Sequence, residues 1–163
     1  MIKLIIIITI LIIFAVLLYL GHTSEKELNS QMSFRESMDL TDLPVVTFYQ
    51  GNKKVNFLLD TGSNDSIINE EAVKKLKLEH EKLDVVSEIY GIGGKTFAPH
   101  AKIAFKYKDL TFKYNFQVVD LSPTFNTIKE QTGVIIHGIL GSCFFREYKY
   151  ILDFNNLVAY SKK

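Results

Sequence analysis

Phe57-Leu58-Leu59-Asp60-Thr61-Gly62-Ser63 is the stretch that decides the fold. The apolar run of Val55, Phe57, Leu58 and Leu59 reads as a buried strand, and it breaks at one carboxylate into a Gly-bearing turn. The Asp-Thr-Gly triplet occurs once in the chain. A carboxylate works as a general base only when its proton affinity is tuned, and two carboxylates held so close that they share a proton achieve this. One is then a base that activates water, and the other an acid that polarises a carbonyl. With one triplet per chain, the second Asp60 has to come from another chain. Gly62 lets backbone N–H groups approach the carboxylate, and Ser63 offers a further hydrogen bond to its outer oxygen. The Thr61 hydroxyl either locks the turn or crosses to a symmetry mate. The triplet alone is a weak signal, arising by chance in a chain this long about a few per cent of the time. A strand-ending Asx turn is the plain alternative. The surroundings have to supply the weight.

Upstream, Val45, Thr47 and Tyr49 alternate with Val46, Phe48 and Gln50, and Gly51-Asn52 turns this strand back into Lys54–Leu59. Downstream, Asn69 caps a short helix with Glu70 and Glu71 in its first turn, Lys74 and Lys75 toward its end, and Ala72, Val73 and Leu76 as its apolar face. Asp84–Tyr90 and Lys95–Phe97 read as strands joined by Gly91-Ile92-Gly93-Gly94. Lys102–Tyr107 and Leu110–Val119 form a hairpin over Lys108-Asp109. Leu121–Gly133 reads as a loop, Val134–Ile136 as a strand, and Gly141–Glu147 as one or two helical turns. Tyr150–Phe154 and Leu157–Tyr160 close the chain as a hairpin over Asn155-Asn156. The expected fold is mainly β, a small closed barrel with one or two short helices.

The order of these motifs resembles the retropepsin-like aspartic proteases, the single-lobe relatives of the pepsins, over about Pro44 to Tyr160. Phe57–Ser63 is similar to their active-site loop, and Ser66-Ile67-Ile68 to the return strand. Tyr90-Gly91-Ile92-Gly93-Gly94 is similar to the flap tip that closes over bound peptide. Gly138-Ile139-Leu140-Gly141 with Phe144-Phe145 and Ile151–Phe154 is similar to the late Gly element, short helix and final hairpin. The resemblance implies a homodimeric peptidase with Asp60, Thr61 and Gly62 from each subunit at a two-fold axis. It implies that Tyr90, the flap glycines and Asp65 meet a peptide or protein substrate, and that neither metal nor cofactor is needed. Many viral members pair an acid just past the triplet with an Arg after the late Gly; here those places hold the uncharged Asn64 and Ser142.

The chain has 163 residues and a formal net charge of +1, with 19 Lys and Arg against 18 Asp and Glu. No basic stripe interleaved with aromatics suggests nucleic acid. Leu4–Leu20 is almost wholly apolar, broken only by Thr9 and Tyr19, and with Met1 and Ile2 approaches the roughly 20 residues that span a bilayer as a helix. Its length, and the absence of a small-x-small exit, favour an uncleaved signal anchor over residues 1–20 rather than a removed signal peptide. Lys3 and the amino terminus keep the short side cytoplasmic, which puts the rest outside the cytoplasm as a single-pass membrane protein. Residues 21–43 read as a polar tether, and residues 44–163 as one domain.

The remaining candidates have plainer readings. The single Cys143, beside Ile139, Leu140, Phe144 and Phe145, reads as a buried small residue with no disulfide partner. Asp153, before Phe154-Asn155-Asn156, reads as a turn aspartate, and His137 as a structural histidine. His22, His80 and His100 lack metal-ligand spacing. The competing function is a peptide-binding or dimerising ectodomain that keeps the fold without turnover. A phosphatase-type aspartate nucleophile needs a second aspartate at position 62, which is Gly. An acidic pH optimum is expected if Ser63 donates to Asp60.

Overall fold

The computed structural model describes residues 12–15, 32–91 and 94–162. Across residues 32–162 the described elements run in the order α1 (Phe34–Thr41), β1 (Val45–Gln50), β2 (Lys53–Leu59), β3 (Ile67–Asn69), α2 (Glu70–Lys75), β4 (Glu81–Gly91), β5 (Gly94–Tyr107), β6 (Leu110–Val119), α3 (Ser122–Thr132), β7 (Gly138–Leu140), α4 (Ser142–Glu147), β8 (Tyr150–Asp153) and β9 (Val158–Ser161). These elements belong to one unit, residues 31–163, and residues 1–30 are a second unit.

Six strands close on themselves in the order β1-β2-β7-β3-β6-β5, with Tyr49 against Lys106 completing the ring back to β1. Closure removes the free edges an open sheet would present. β2 and β7 run parallel, with Leu58 beside Ile139, whereas β1–β2 and β5–β6 are antiparallel hairpins. β4 pairs only with β5, so this long hairpin projects past the barrel.

The period-two alternation of the strands sorts their side chains into two apolar clusters. Phe48, Phe57, Phe105, Phe112, Phe116 and Phe144 fill the first, with edge-on contacts such as Phe57–Phe105 at 5.1 Å between ring centroids. Burying each ring contributes about 1.5–3 kcal/mol. The second lies on the other side of β1 and β2 and contains Met32, Val45, Phe125, Val134 and Ile136. Thr47 on that side is fully buried yet satisfied: it accepts from the Met32 N–H at 2.7 Å and donates to Asn56 Oδ1 at 2.7 Å.

Three expectations are corrected here. The folded unit does not start at Pro44. Ser33 and Glu36 form a reciprocal capping box for α1, the Thr47 N–H bonds the Met32 carbonyl, and Phe34 is buried against Phe154. Of the expected tether, residues 32–43 are therefore part of the domain, and residues 21–31 lie outside the described residues. Residues 122–132 are a helix rather than a loop, with Pro123 in the first turn and Gly133 ending it at φ 77°. The strand expected at Val134–Ile136 falls instead at Gly138–Leu140.

The anchor expected over residues 1–20 lies outside the described residues except for 12–15, which are helical. Among the described residues, no helix is long and apolar enough to cross a membrane.

Candidate active site

Asp60 is the first residue past β2, and its N–H donates to the Leu140 carbonyl at 3.0 Å, continuing the parallel ladder by one bond. The turn then reverses direction, with the Ser63 N–H on the Asp60 carbonyl at 3.3 Å. The half-buried Asp60 carboxylate accepts from the Gly62 N–H at 2.8 Å through Oδ1. A β-carbon on Gly62 would sit 3.2 Å from that oxygen, so glycine here keeps the approach open. Thr61 is exposed at the tip, and no described residue binds its hydroxyl.

Ser63 does not perform the role expected of it. Its hydroxyl donates to the Asp65 carbonyl at 2.8 Å and braces the descending limb of the turn instead of the Asp60 carboxylate. The acidic optimum that rested on a Ser63 donor loses that basis.

The late Gly element holds the turn from beneath. The Ser142 N–H bonds the Ser63 carbonyl at 2.8 Å, the Cys143 N–H bonds the Asn64 carbonyl at 3.1 Å, and the Gly141 N–H bonds Ser66 Oγ at 3.0 Å. These bonds tie the turn to α4 without the acid–Arg pair that Asn64 and Ser142 replace. A β-carbon on Gly141 would fall against the Asp65 carbonyl group and lie 2.9 Å from the Asn64 carbonyl oxygen. Gly138 is equally crowded, with the Ile67 carbonyl oxygen 2.6 Å from a would-be β-carbon. Leu140, between them, is buried in the first cluster, and Ile139 is half-buried on the opposite side. Cys143 is half-exposed rather than buried, with its sulfur 3.5 Å from Asn64 Oδ1 and 3.7 Å from Arg146 Nη2.

Asp65 accepts from Gln117 Nε2 at 3.3 Å and lines an open cleft of about 550 Å³ beneath the β4–β5 hairpin, beside Leu83, Val85 and Tyr114. At the hairpin tip, Tyr90 pairs with Lys95 and Gly91 with Gly94. Ile92 and Gly93 lie outside the described residues. Phe97 and Val86 are exposed farther back along the same two strands.

Other acids take structural roles. Asp153 caps the β8–β9 turn, accepting from the Asn155 and Asn156 N–H groups and from Asn156 Nδ2, and the Asn156 bonds hold its carboxyl below the usual range. Glu70 and Glu71 pair with Lys74 and Lys75 one turn on.

His137 is a structural residue placed behind the site. Its Nδ1 accepts from the Asn56 N–H at 2.9 Å, its own N–H bonds the Asn56 carbonyl, and its carbonyl takes the Asn69 N–H. It therefore couples β2 to the end of β3. Burial lowers its pKa from 6.5 to about 4. A histidine held neutral contributes stability that is complete above the unfolded pKa and lost as pH falls through the folded one. Between pH 6.5 and about 4 the unfolded chain binds one more proton, so this group withdraws on the order of 3 kcal/mol. The expected result is a steeper loss of melting temperature from pH 7 to pH 4 in the wild type than in His137→Asn, which has no ring to charge. Parallel pH profiles would show that His137 contributes nothing to acid sensitivity.

Sequence reading missed Leu121, at the N-cap of α3, and Ile128 on it, which pack against the cluster that includes Leu58 and Ile139. Leu58 shares a strand face with Asp60 by the period of two. The Pro123 and Gly133 punctuation of α3 was the available signal.

The sequence profile of the family described as aspartyl protease matches residues 46–144, from β1 to α4 and over more than half of the chain. The chain belongs to the aspartyl protease family, and its fold is retropepsin-like. Among solved structures, EIAV protease complexed with the inhibitor HBY-793 aligns with a TM-score of 0.51 and 22% identity, covering 69% of this chain and 93% of that one. The retroviral protease-like domain of Ddi1 from Leishmania major aligns with a TM-score of 0.48 and 13% identity, covering 72% and 84%. No curated protein matches.

Proposed function

We propose that this protein is a homodimeric aspartic endopeptidase, tethered to a membrane by its first 20 residues with the catalytic domain outside the cytoplasm. The observation that carries the reading is a solvent-reachable carboxylate on a braced turn, Asp60, with one copy per chain. Two chains meeting about a two-fold axis would bring two such turns face to face.

In the pair, one carboxylate is ionised and the other holds the shared proton. The ionised oxygen takes a proton from water as the water oxygen bonds to the peptide carbonyl carbon. The protonated partner gives its proton to the carbonyl oxygen. The tetrahedral intermediate then collapses, the C–N bond breaks, and the leaving amine takes a proton from the dyad. The Gly62 N–H keeps the Asp60 carboxylate oriented through both steps. Leu58 and Ile139 give an apolar surface on the Asp60 side of the sheet, which supports a preference for apolar side chains flanking the cut bond. The β4–β5 hairpin, with Tyr90, Gly91 and Gly94 toward its tip, would cover the peptide.

Tethering two chains in one membrane raises their mutual effective concentration, so a weak dimer is enough. Cleavage of an unstructured protein by the domain lacking residues 1–20 should therefore show specific activity that climbs with enzyme concentration. The membrane-embedded full chain should be active at dilutions where the truncated domain is not. Constant specific activity across dilution in the truncated domain contradicts the dimer.

A further inference from the structure

A second cavity, of about 210 Å³, opens between α2 and α3, on residues that the proposed hydrolysis does not use. Leu76, Phe125 and Ile136 give it apolar walls, and Glu71, Lys129 and His137 give it polar ones. The Glu71 carboxylate oxygens are already occupied. Glu71 Oε1 is paired with Lys75 Nζ at 2.8 Å, and Glu71 Oε2 takes the Ser122 hydroxyl at 2.9 Å. The donors are not. His137 is 8% exposed, and because its Nδ1 accepts the Asn56 N–H, the ring proton is on Nε2. No described residue accepts that Nε2–H, and none pairs with Lys129 Nζ. The Nε2–H is open to the cleft rather than sealed in the core, so a bound carboxylate oxygen can accept it.

We propose that the α2–α3 cleft binds a small carboxylate with an apolar tail, its head held by His137 Nε2–H and Lys129 and its tail against Leu76, Phe125 and Ile136. A neutral imidazole donor beside one ammonium suits a single negative charge, and the apolar walls suit an aliphatic tail. Two sources share this chemistry: a free short-chain acid, and the C-terminal carboxylate of a peptide ending in an apolar residue. The site stands apart from the protease reading and requires no turnover.

The test is a titration of the full chain, labelled with ¹⁵N at histidine, using hexanoate, N-acetyl-leucine and uncharged hexanol. The expected result is a saturable shift of the His137 Nε2–H signal by at least one acid, with a Kd of about 1 mM or tighter, and no saturation by hexanol. Tighter binding of hexanoate points to a free acid, and tighter binding of N-acetyl-leucine to a peptide terminus. Lys129→Met, at an exposed helical position, should weaken binding about ten-fold without loss of fold. His137→Asn should abolish the preference for acids over hexanol, and if that variant does not fold, Lys129→Met alone decides. Failure of both acids to saturate, equal binding of hexanol, or unchanged affinity in Lys129→Met overturns the site.

Discussion

Asp60→Asn should reduce peptide hydrolysis by about 10³-fold or more, the range that general acid–base groups supply, and leave the fold intact. The substitution is nearly isosteric, and an Asn side-chain oxygen still accepts the Gly62 N–H that bonds Asp60 Oδ1 at 2.8 Å. The Asp60 N–H also keeps its bond to the Leu140 carbonyl. What disappears is the ability to take a proton from water. Melting temperature should thus stay close to that of the wild type while activity vanishes, because a half-exposed turn residue carries little folding energy. Equal hydrolysis by the wild type and Asp60→Asn would remove the catalytic assignment and favour a binding module.

Gly141→Val should have the second largest effect, through space rather than charge. Gly141 has φ −93°, which any residue adopts, so no left-handed strain is involved. The obstacle is the Asp65 carbonyl group, whose carbon lies 2.7 Å from the position of a β-carbon. Both sides of this contact are backbone, so no side chain can swing away. To admit the side chain, the turn from Ser63 to Asp65 must move off α4, breaking the bonds from the Ser142 and Cys143 N–H groups. Overpacking of this kind costs about 1–3 kcal/mol. A displacement near 1 Å at the Asp60 turn should cost roughly another 10²-fold in rate. Denaturant unfolding and hydrolysis should both register the change, and a fully stable, fully active Gly141→Val would show that the late Gly element does not position Asp60.

Much of this was legible in the chain because the signals were local. The strand ending at Leu59, the turn at Gly62, the Asn69 cap and the β5–β6 hairpin each depend on residues near one another. What stayed hidden depended on distant partners. α1 was obscured because Phe34 and Met38 are isolated apolar residues in a polar stretch. Their partners, Phe154 and the barrel core, belong to other elements of the chain. Its one local sign was the Ser33–Glu36 capping box. α3 has a weakly apolar face and was legible only through Pro123 and Gly133. β7 was displaced because Val134-Ile135-Ile136 is the more strand-like run, yet the parallel partner of β2 is the glycine-flanked Gly138–Leu140. A glycine is required at position 138 because Phe57 and the Ile67 carbonyl leave no room for a side chain. Ser63 shows the limit of assigning a hydroxyl from its position: the backbone carbonyl of Asp65 takes it.

The claim that activity needs two Asp60 side chains, one from each of two chains, is tested most directly by subunit poisoning. Wild-type chain is mixed and re-equilibrated with about a nine-fold excess of Asp60→Asn, and hydrolysis is measured per wild-type chain. Random pairing leaves about one wild-type chain in ten with a wild-type partner, so activity should fall about ten-fold. Activity per wild-type chain that does not change with the excess would mean that one chain is sufficient, contradicting the shared pair.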